Sequence, residues 1–412
     1  MPTYLTPGVY VEEVPGGARP IEAVGTSTAG FVGTAPNPDA HRGQAFAINN
    51  WTQFVREFAA NGTASTSLSH AVYGFFLNGG SRCYVVNVDK DQSIAGGGTG
   101  GRQGLQLLEE VDEVAIVAAP GYSDAASYDA LLSHCEKLKD RVAILDPPED
   151  VSDISQFENV VTAAEPSGKR REDGAPIGEP TTPTGLRPRA SDGGYGAFYF
   201  PRIVVRDPLV SDTRRIVVAP SGHVAGVWAR TDGTRGVHKA PANDTLRGAL
   251  DLSYRLTDEE QGVLNPLGVN CIRFFSREGI RIWGARTLAD SSSEWRYLNV
   301  RRLFNMIEKS IVDGTRWIVF EPNDRTLWKS VRRDVGAFLT RVWRDGALMG
   351  RTPAEAFFVQ CDEETNPPDV VDAGMVVSVI GAAPVKPAEF IVFRLSQSAA
   401  GAAVTTNLAV PA

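Results

Sequence analysis

The stretch from Trp317 to Arg351 constrains the fold of this chain more than any other. Trp317-Ile318-Val319-Phe320 is a short apolar run closed by Glu321-Pro322-Asn323-Asp324. It reads as a strand that Pro322 ends, with Asn323 or Asp324 placed to cap a following helix. From there apolar residues fall at Leu327, Val331, Val335, Phe338, Leu339 and Val342, in steps of three and four. At about 100° per residue these positions make one stripe, so the spacing predicts an amphipathic helix with that stripe in a core. Lys329, Arg333, Arg341 and Arg344 lie on the opposite side, with Arg332 at the border. A helix with one face buried and the other basic is suited to dock on something acidic. A solvated surface helix is the plainer reading of the same pattern.

The charge balance gives that face its weight. The 412-residue chain carries a formal net charge of −8, which argues against general nucleic-acid binding and makes the basic helix a local feature on an acidic background. Hydrophobic residues at 42% and charged residues at 22% are ordinary for a globular protein, and the length suits about two or three domains. Cys83, Cys135, Cys271 and Cys361 are far apart with no C-x-x-C pair, and Cys83 and Cys271 sit in apolar runs; a reducing compartment is the natural expectation. Met1-Pro2-Thr3-Tyr4 lacks the basic start and apolar stretch of a signal peptide, and no apolar run reaches the roughly 18 residues of a membrane span. Synthesis and folding in the cytosol are therefore expected, with later release by lysis or as part of a larger particle.

Turn residues divide the chain. Thr6-Pro7-Gly8 and Pro15-Gly16-Gly17 bracket Val9-Tyr10-Val11-Glu12-Glu13-Val14, a single short strand that cannot stabilise itself and must pair with some sheet, its own or a neighbour's. Residues 51–58 and 68–77 read as helices, the second stopping at Asn78-Gly79-Gly80, and Arg82 to Val88 reads as a strand. Gly96, Gly98 and Gly101 satisfy G-x-G-x-x-G in the letter. A dinucleotide fingerprint opens directly after its strand, however, whereas here Asp89 to Ala95 intervenes, so the tract reads as a linker at a domain boundary. Val114–Ala119, Tyr128–Leu138 and Val142–Leu145 form a strand, helix, strand unit that predicts a small parallel sheet. Ile154 to Ala164 reads as a helix, residues 165–194 as a surface loop, 197–205 and 215–218 as strands, and 224–230 as a helix. Residues 269–275 and 279–284 predict two consecutive strands joined at Ser276-Arg277-Glu278, and 300–312 a helix. Glu389 to Leu395 is apolar on both faces, as for a strand covered on both sides, and 396–412 is a small, uncharged arm.

No pattern of catalysis emerges. His41, His70, His134, His223 and His238 have neither the i, i+4 pairing nor the cysteine spacing of a zinc site, and neither a G-x-S-x-G elbow nor a Walker A lysine occurs. Ser133-His134-Cys135 are neighbours on a helix and do not face one another as a triad must. Catalytic residues, cofactor and metal are all read as none. A nucleotide-binding α/β enzyme built on the glycine tract is the alternative of a different class.

Several phrases together resemble contractile phage tail sheath proteins. They are Thr6 to Glu13 with Arg19-Pro20-Ile21, Gly25 to Gly33, Ala71 to Val88, Asn265 to Leu288, and Trp295 to Leu395, which includes the basic helix. The resemblance implies an α+β fold with a discontinuous inner domain over 21–95 and 244–395. It also implies an inserted α/β outer domain over 96–243 and terminal arms over 1–20 and 396–412. It implies a structural subunit that stacks in helical rings around an inner tube and shortens to drive the tube through an envelope; another tail structural component, tube or baseplate, is the alternative within the same class. Partners would be further copies of itself, the tube, and baseplate and terminator proteins, with neither nucleic acid nor a membrane span. The arms that complete a neighbour's sheet would map to Val9, Tyr10, Val11, Glu12, Glu13 and Val14, and to Phe390, Val392 and Arg394. The tube-facing residues would be Lys329, Arg332, Arg333, Arg341 and Arg344. Assembly in the cytoplasm and release as a virion or extracellular particle follow from the same likeness.

Overall fold

Short runs that are apolar on both faces pair into one sheet in the computed structural model, which describes residues 20–59, 64–90, 92–97, 101–151, 153–162, 185–210 and 214–392. The strands are β1 (Ala29–Gly33), β2 (Ala45–Ile48), β3 (Cys83–Asn87), β4 (Ile116–Ala118), β5 (Val142–Leu145), β6 (Gly196–Phe200), β7 (Ile203–Arg206), β8 (Arg215–Val218), β9 (Asp244–Thr245), β10 (Asp251–Leu252), β11 (Val269–Phe275) and β12 (Gly279–Trp283). Nine of them form a mixed sheet in the order β2-β3-β1-β4-β5-β6-β11-β12-β9, while β10-β7-β8 form a separate three-stranded sheet. From β3 to β11 the pairs are parallel; β2, β12 and β9 run antiparallel at the two margins. The fold is α+β, a mixed sheet with helices.

The alternation of side chains along each strand divides the core. Phe31, Val85, Ile116, Ile144, Tyr199 and Ile272 face α1 (Trp51–Phe58), α2 (Ser67–Asn78) and, above all, Trp228 on α4 (Ser221–Arg235). Val32, Val86, Val117, Ala143, Phe198 and Cys271 face the other way, onto α3 (Ala125–Leu138) and the 3-10 turn Gly104–Glu110. The expected strand, helix, strand unit is β4-α3-β5, with Ile116 opposite Val142. Gly79 ends α2 in the left-handed conformation at φ 116°, where a side chain would also strike Arg230. Ser276-Arg277-Glu278 is the turn between β11 and β12, as the sequence predicts. All four cysteines are buried free thiols.

The expected insertion of 96–243 into a separate inner domain is corrected by the strand pairing. β1 and β3 come from the first segment, β4, β5 and β6 from the supposed insert, and β11 and β12 from the third, yet all lie in one sheet. Crossover connections order strands in space differently from sequence, and a buried apolar strand carries no mark of the sheet it belongs to. The real change of character comes later, past α5 (Asp258–Leu264), at α6 (Leu298–Thr315) and α7 (Arg325–Arg344), which share a third core with Ile21 and Val237. Two lesser departures concern 154–164, where the described part is a 3-10 turn at Ile154–Glu158, and 197–205, which is divided between β6 and β7 at Pro201. The expectations for 1–19, 165–184 and 393–412 lie outside the described residues.

One buried ion pair joins the α6 unit to the sheet. Arg302 of α6 contacts Asp232 of α4 through Nη1 at 2.9 Å and Nη2 at 2.5 Å, and its guanidinium lies 4.7 Å from the Trp228 ring. Thr26 donates its hydroxyl to the same carboxylate at 2.6 Å, and Arg302 donates to the Thr26 carbonyl at 3.0 Å. Removing one partner of such a pair strands the other charge, at a cost of about 3–5 kcal/mol.

The core also contains groups that respond to acid. His223 of α4 is buried against Gly74 of α2, and neither ring nitrogen has a hydrogen-bond partner among the described residues. Burial, then the nearby His70, depresses its pKa from 6.5 to about 4. The unfolded imidazole takes up a proton near 6.5 and the folded one only near 4, so the unfolded state binds more protons in between. Its contribution is complete above pH 6.5 and is lost as pH falls toward 4. Buried Asp146, raised by desolvation to about 6, acts with the opposite sign. His223→Leu should therefore flatten the decline of unfolding free energy between pH 6.5 and 4, measured by urea titration at several pH values; an unchanged slope contradicts the assignment.

Candidate assembly surface

The segment that opened the sequence reading forms helix α7, capped by Asp324, whose side chain accepts from the backbone N–H of Thr326 at 2.8 Å and Leu327 at 2.9 Å. Leu327, Val331, Val335, Phe338, Leu339 and Val342 are all buried, joined by Trp328. Their core also takes Leu303, Met306 and Ile307 of α6. The predicted basic side chains Lys329, Arg332, Arg333, Arg341 and Arg344 are all exposed on the other side. They are not equally free. Arg333 pairs with Asp334 at 2.9 Å, and Arg341 donates to the Ile21 carbonyl. Lys329, Arg332 and Arg344 have no ion pair among the described residues.

The predicted strand Trp317–Phe320 is a different structure. α6 continues into a 3-10 turn at Arg316–Ile318, and Trp317 and Ile318 go into the α7 core. Four apolar residues right after a long helix have no strand beside them to pair with, so burial is satisfied by extending the helix. A second turn follows, closed by Glu321 N–H donating to the Ile318 carbonyl at 3.0 Å. Val319 has φ −63° and ψ 124°, and Phe320 has φ 70°. That is a type II turn with phenylalanine where glycine is normally required. The Phe320 ring is wholly exposed.

Beyond α7, the short helix α8 (Pro353–Ala356) leads into β13 (Phe357–Gln360), which pairs antiparallel with β14 (Val379–Ala382) across α9 (Pro368–Asp372). Phe357, Val359, Ile380 and Ala382 lean on the α7 core. This sheet has two strands, and both outer edges are unpaired among the described residues. Phe358, Val379 and nearby Met375 are exposed. From β14 the chain returns to the large sheet and meets it at Glu389, which Arg286 grips through two hydrogen bonds. The predicted strand at 389–395 does not form in its described part. Phe390, Ile391 and Val392 are 74%, 74% and 77% exposed, and among the described residues no strand lies alongside them. Val9 to Val14 and Arg394 lie outside the described residues.

Gly96 and Gly101 lie well past the end of β3, not in the first turn after a strand where a phosphate loop opens. Among the described residues no cluster of histidine, cysteine, aspartate or glutamate could hold a metal, and no helix is long and apolar enough to cross a membrane. Sequence reasoning missed three features: the Arg302–Asp232 joint, the Phe320 turn and the Glu389 contact. The first and third join residues far apart in the chain, and nothing local marks either; in the second, a phenylalanine occupies the position that glycine would have flagged.

Two family models match. Phage tail sheath protein central domain covers residues 100–288, and phage tail sheath C-terminal domain covers residues 290–398. They meet where the sheet ends and the α6–α7 unit begins. An assembly-forming structural protein of contractile tails is the class so defined, and this chain belongs to the contractile tail sheath family. Its sequence is 30% identical over 174 residues to the tail sheath protein of Vibrio phage KVP40, a match spanning 42% of this chain but only 25% of that protein. Its fold is similar to the sheath complex of an extracellular contractile injection system, PVC, in the contracted state: TM-score 0.75, 29% identity, 97% of this chain and 99% of that one. It is also similar to the helical sheath of the anti-feeding prophage in the contracted state: TM-score 0.72, 31% identity, 96% of this chain and 100% of that one.

Phe320→Gly removes no packing and relieves a backbone conformation that costs an aromatic residue about 1–3 kcal/mol, less the extra unfolded-state freedom of glycine. The variant should be more stable than the wild-type chain by about 1 kcal/mol, visible as a higher melting temperature; a lower one would rule out strain at this turn.

Proposed function

We propose that this chain is the subunit of a contractile sheath, a structural rather than catalytic protein. It would polymerise helically around an inner tube and shorten to drive that tube through a target envelope. The observation that carries the reading is the pairing of two incomplete things on one molecule. Among the described residues the β13–β14 sheet has open edges, and the exposed Phe390-Ile391-Val392 segment has no strand beside it. Open edges are an aggregation hazard in a monomer, whereas strand addition between copies turns them into joints. A head-to-tail contact of this kind, repeated without closing, makes a filament. The arms would be Val9 to Val14 and the tail containing Phe390, Val392 and Arg394.

The basic face of α7 is the surface proposed to meet an acidic tube. Lys329, Arg332 and Arg344 would lead, since Arg333 and Arg341 already have partners within the chain. Exposed pairs are worth about 0–1 kcal/mol each, which suits a contact that holds through many copies and lets go in sequence. Phe320, a residue that costs its own turn and touches nothing, fits the role of an apolar anchor for a partner beside this face. Baseplate and terminator proteins would bound the polymer. Assembly would take place in the producing cell's cytoplasm, and the work would be done in the virion or released particle.

Deleting residues 1–14 from the full chain tests the joint. Folded monomers that form no hollow tubes in electron micrographs are expected, and sheaths of normal length would overturn the arm role. Lys329→Glu with Arg344→Glu tests the helix. Empty sheaths should form as before while the tube-filled fraction drops, and unchanged tube occupancy counts against a tube-facing α7.

A further inference from the structure

The return of the chain from β14 to the large sheet ends in a built site. Glu389 Oε1 accepts from Arg286 Nε at 2.9 Å and from Asn265 Nδ2 at 2.9 Å; Oε2 accepts from Arg286 Nη2 at 2.8 Å and from the Tyr297 hydroxyl at 3.3 Å. Every in-plane direction of the carboxylate is thereby engaged, in the fork geometry that only arginine offers. Arg286 is buried and is itself held in place. Its Nη1 donates to the Asn265 carbonyl at 3.1 Å, its backbone N–H donates to Asn270 Oδ1 at 2.7 Å, and its carbonyl accepts from Asn270 Nδ2 at 2.8 Å. Asn270 is fully buried in β11. The notch is therefore tied through Asn270 to β11 of the large sheet.

A buried guanidinium needs a counter-charge, and among the described residues the one ion pair of Arg286 is with Glu389. Upstream, the tail is held more lightly, by Val385 N–H to the Ala347 carbonyl at 3.2 Å and Asn299 Nδ2 to the Val385 carbonyl at 3.0 Å. Immediately downstream the side chains of Phe390, Ile391 and Val392 stand in solvent. Among the described residues Glu389 is thus the last anchored one before the exposed run from Phe390 to Val392.

We propose that Arg286, Asn265 and Tyr297 form a carboxylate-binding notch that locks Glu389, the root of the C-terminal segment, to its own subunit. Only the chain beyond residue 389 is then free to pair with another copy. The position from which it departs is set by the sheet and stays fixed when subunits shift. The assembly consequence rests on the arm reading given above; the lock itself does not.

Hydrogen exchange on the unassembled full chain separates the two. In Glu389→Ala the amides of residues 385–389 should exchange faster by on the order of tenfold, with Glu389→Gln between that variant and wild type and the rest of the sheet unchanged. Equal exchange in wild type and both variants would overturn the lock. Should the Ala variant prove unstable, the Gln variant, which keeps an acceptor for Asn265 and Arg286, decides the matter by the same readout. The variants are then polymerised and imaged. Shorter or irregular sheaths support the fixed departure point, whereas a freed tail with sheaths of normal length and pitch overturns the assembly role and leaves the lock standing.

Discussion

The ion pair between Arg302 and Asp232 is the constraint on which the two halves of this protein depend. It sits where α6 crosses α4, enclosed by Trp228 and the Thr26 segment, with both side chains nearly inaccessible to solvent. Desolvated charges tolerate little displacement, because a small separation forfeits Coulomb energy that water does not restore. The α6–α7 unit is therefore seated on the sheet in one orientation. A force applied to α7 or to the β13–β14 sheet passes through this joint into the parallel strands, which are buried on both faces and yield least. In the sheath role proposed above, where the subunit would move as a body within a lattice, such a stiff connection would carry load between its surface and its sheet.

Against that rigidity, the contacts left for partners are of a yielding kind. The solvent face of α7 offers separate exposed charges, each weak. The β13–β14 edges offer backbone hydrogen bonds, which act regardless of side chain and survive changes of angle between bodies. Strong interactions lie within the subunit and weak or adaptable ones at its boundary. This division lets an assembly rearrange without unfolding its parts.

What was legible in the sequence was what depends on local periodicity. The α7 stripe from Leu327 to Val342, its cap at Asp324, the β4-α3-β5 unit and the β11–β12 hairpin follow from spacing and turn residues, and each stands where the spacing puts it. The basic residues of α7 face outward as the helical period demands, though the period could not show that Arg341 reaches back to Ile21. What failed had one cause. Residues 317–320 and 389–392 are apolar enough for strands, but a strand is a property of two segments, and neither has a partner strand among the described residues. The division at 96 and 243 failed likewise, since membership of a sheet is decided by pairing over long distances in sequence. The family resemblance reached further than periodicity did, since an ordered series of phrases along the chain identified the family to which it belongs.

The Phe320 turn and the exposed tail are then two forms of one observation. An isolated chain has no reason to hold phenylalanine in a type II turn's glycine position, or to keep Phe390, Ile391 and Val392 in water. Each lowers the stability of the subunit taken alone. The Glu389 lock also makes better sense in company: an arginine buried with tail-derived charge is an unneeded expense for a monomer, since an apolar pair of similar volume serves stability as well or better. A fixed departure point gains value only if what departs must arrive somewhere defined. Phe320 just ahead of α7, the exposed run from Phe390 to Val392 and the charge that Glu389 brings to buried Arg286 all belong to the C-terminal part of the chain. In the sheath role proposed above, these are local rules that another copy would have to complete.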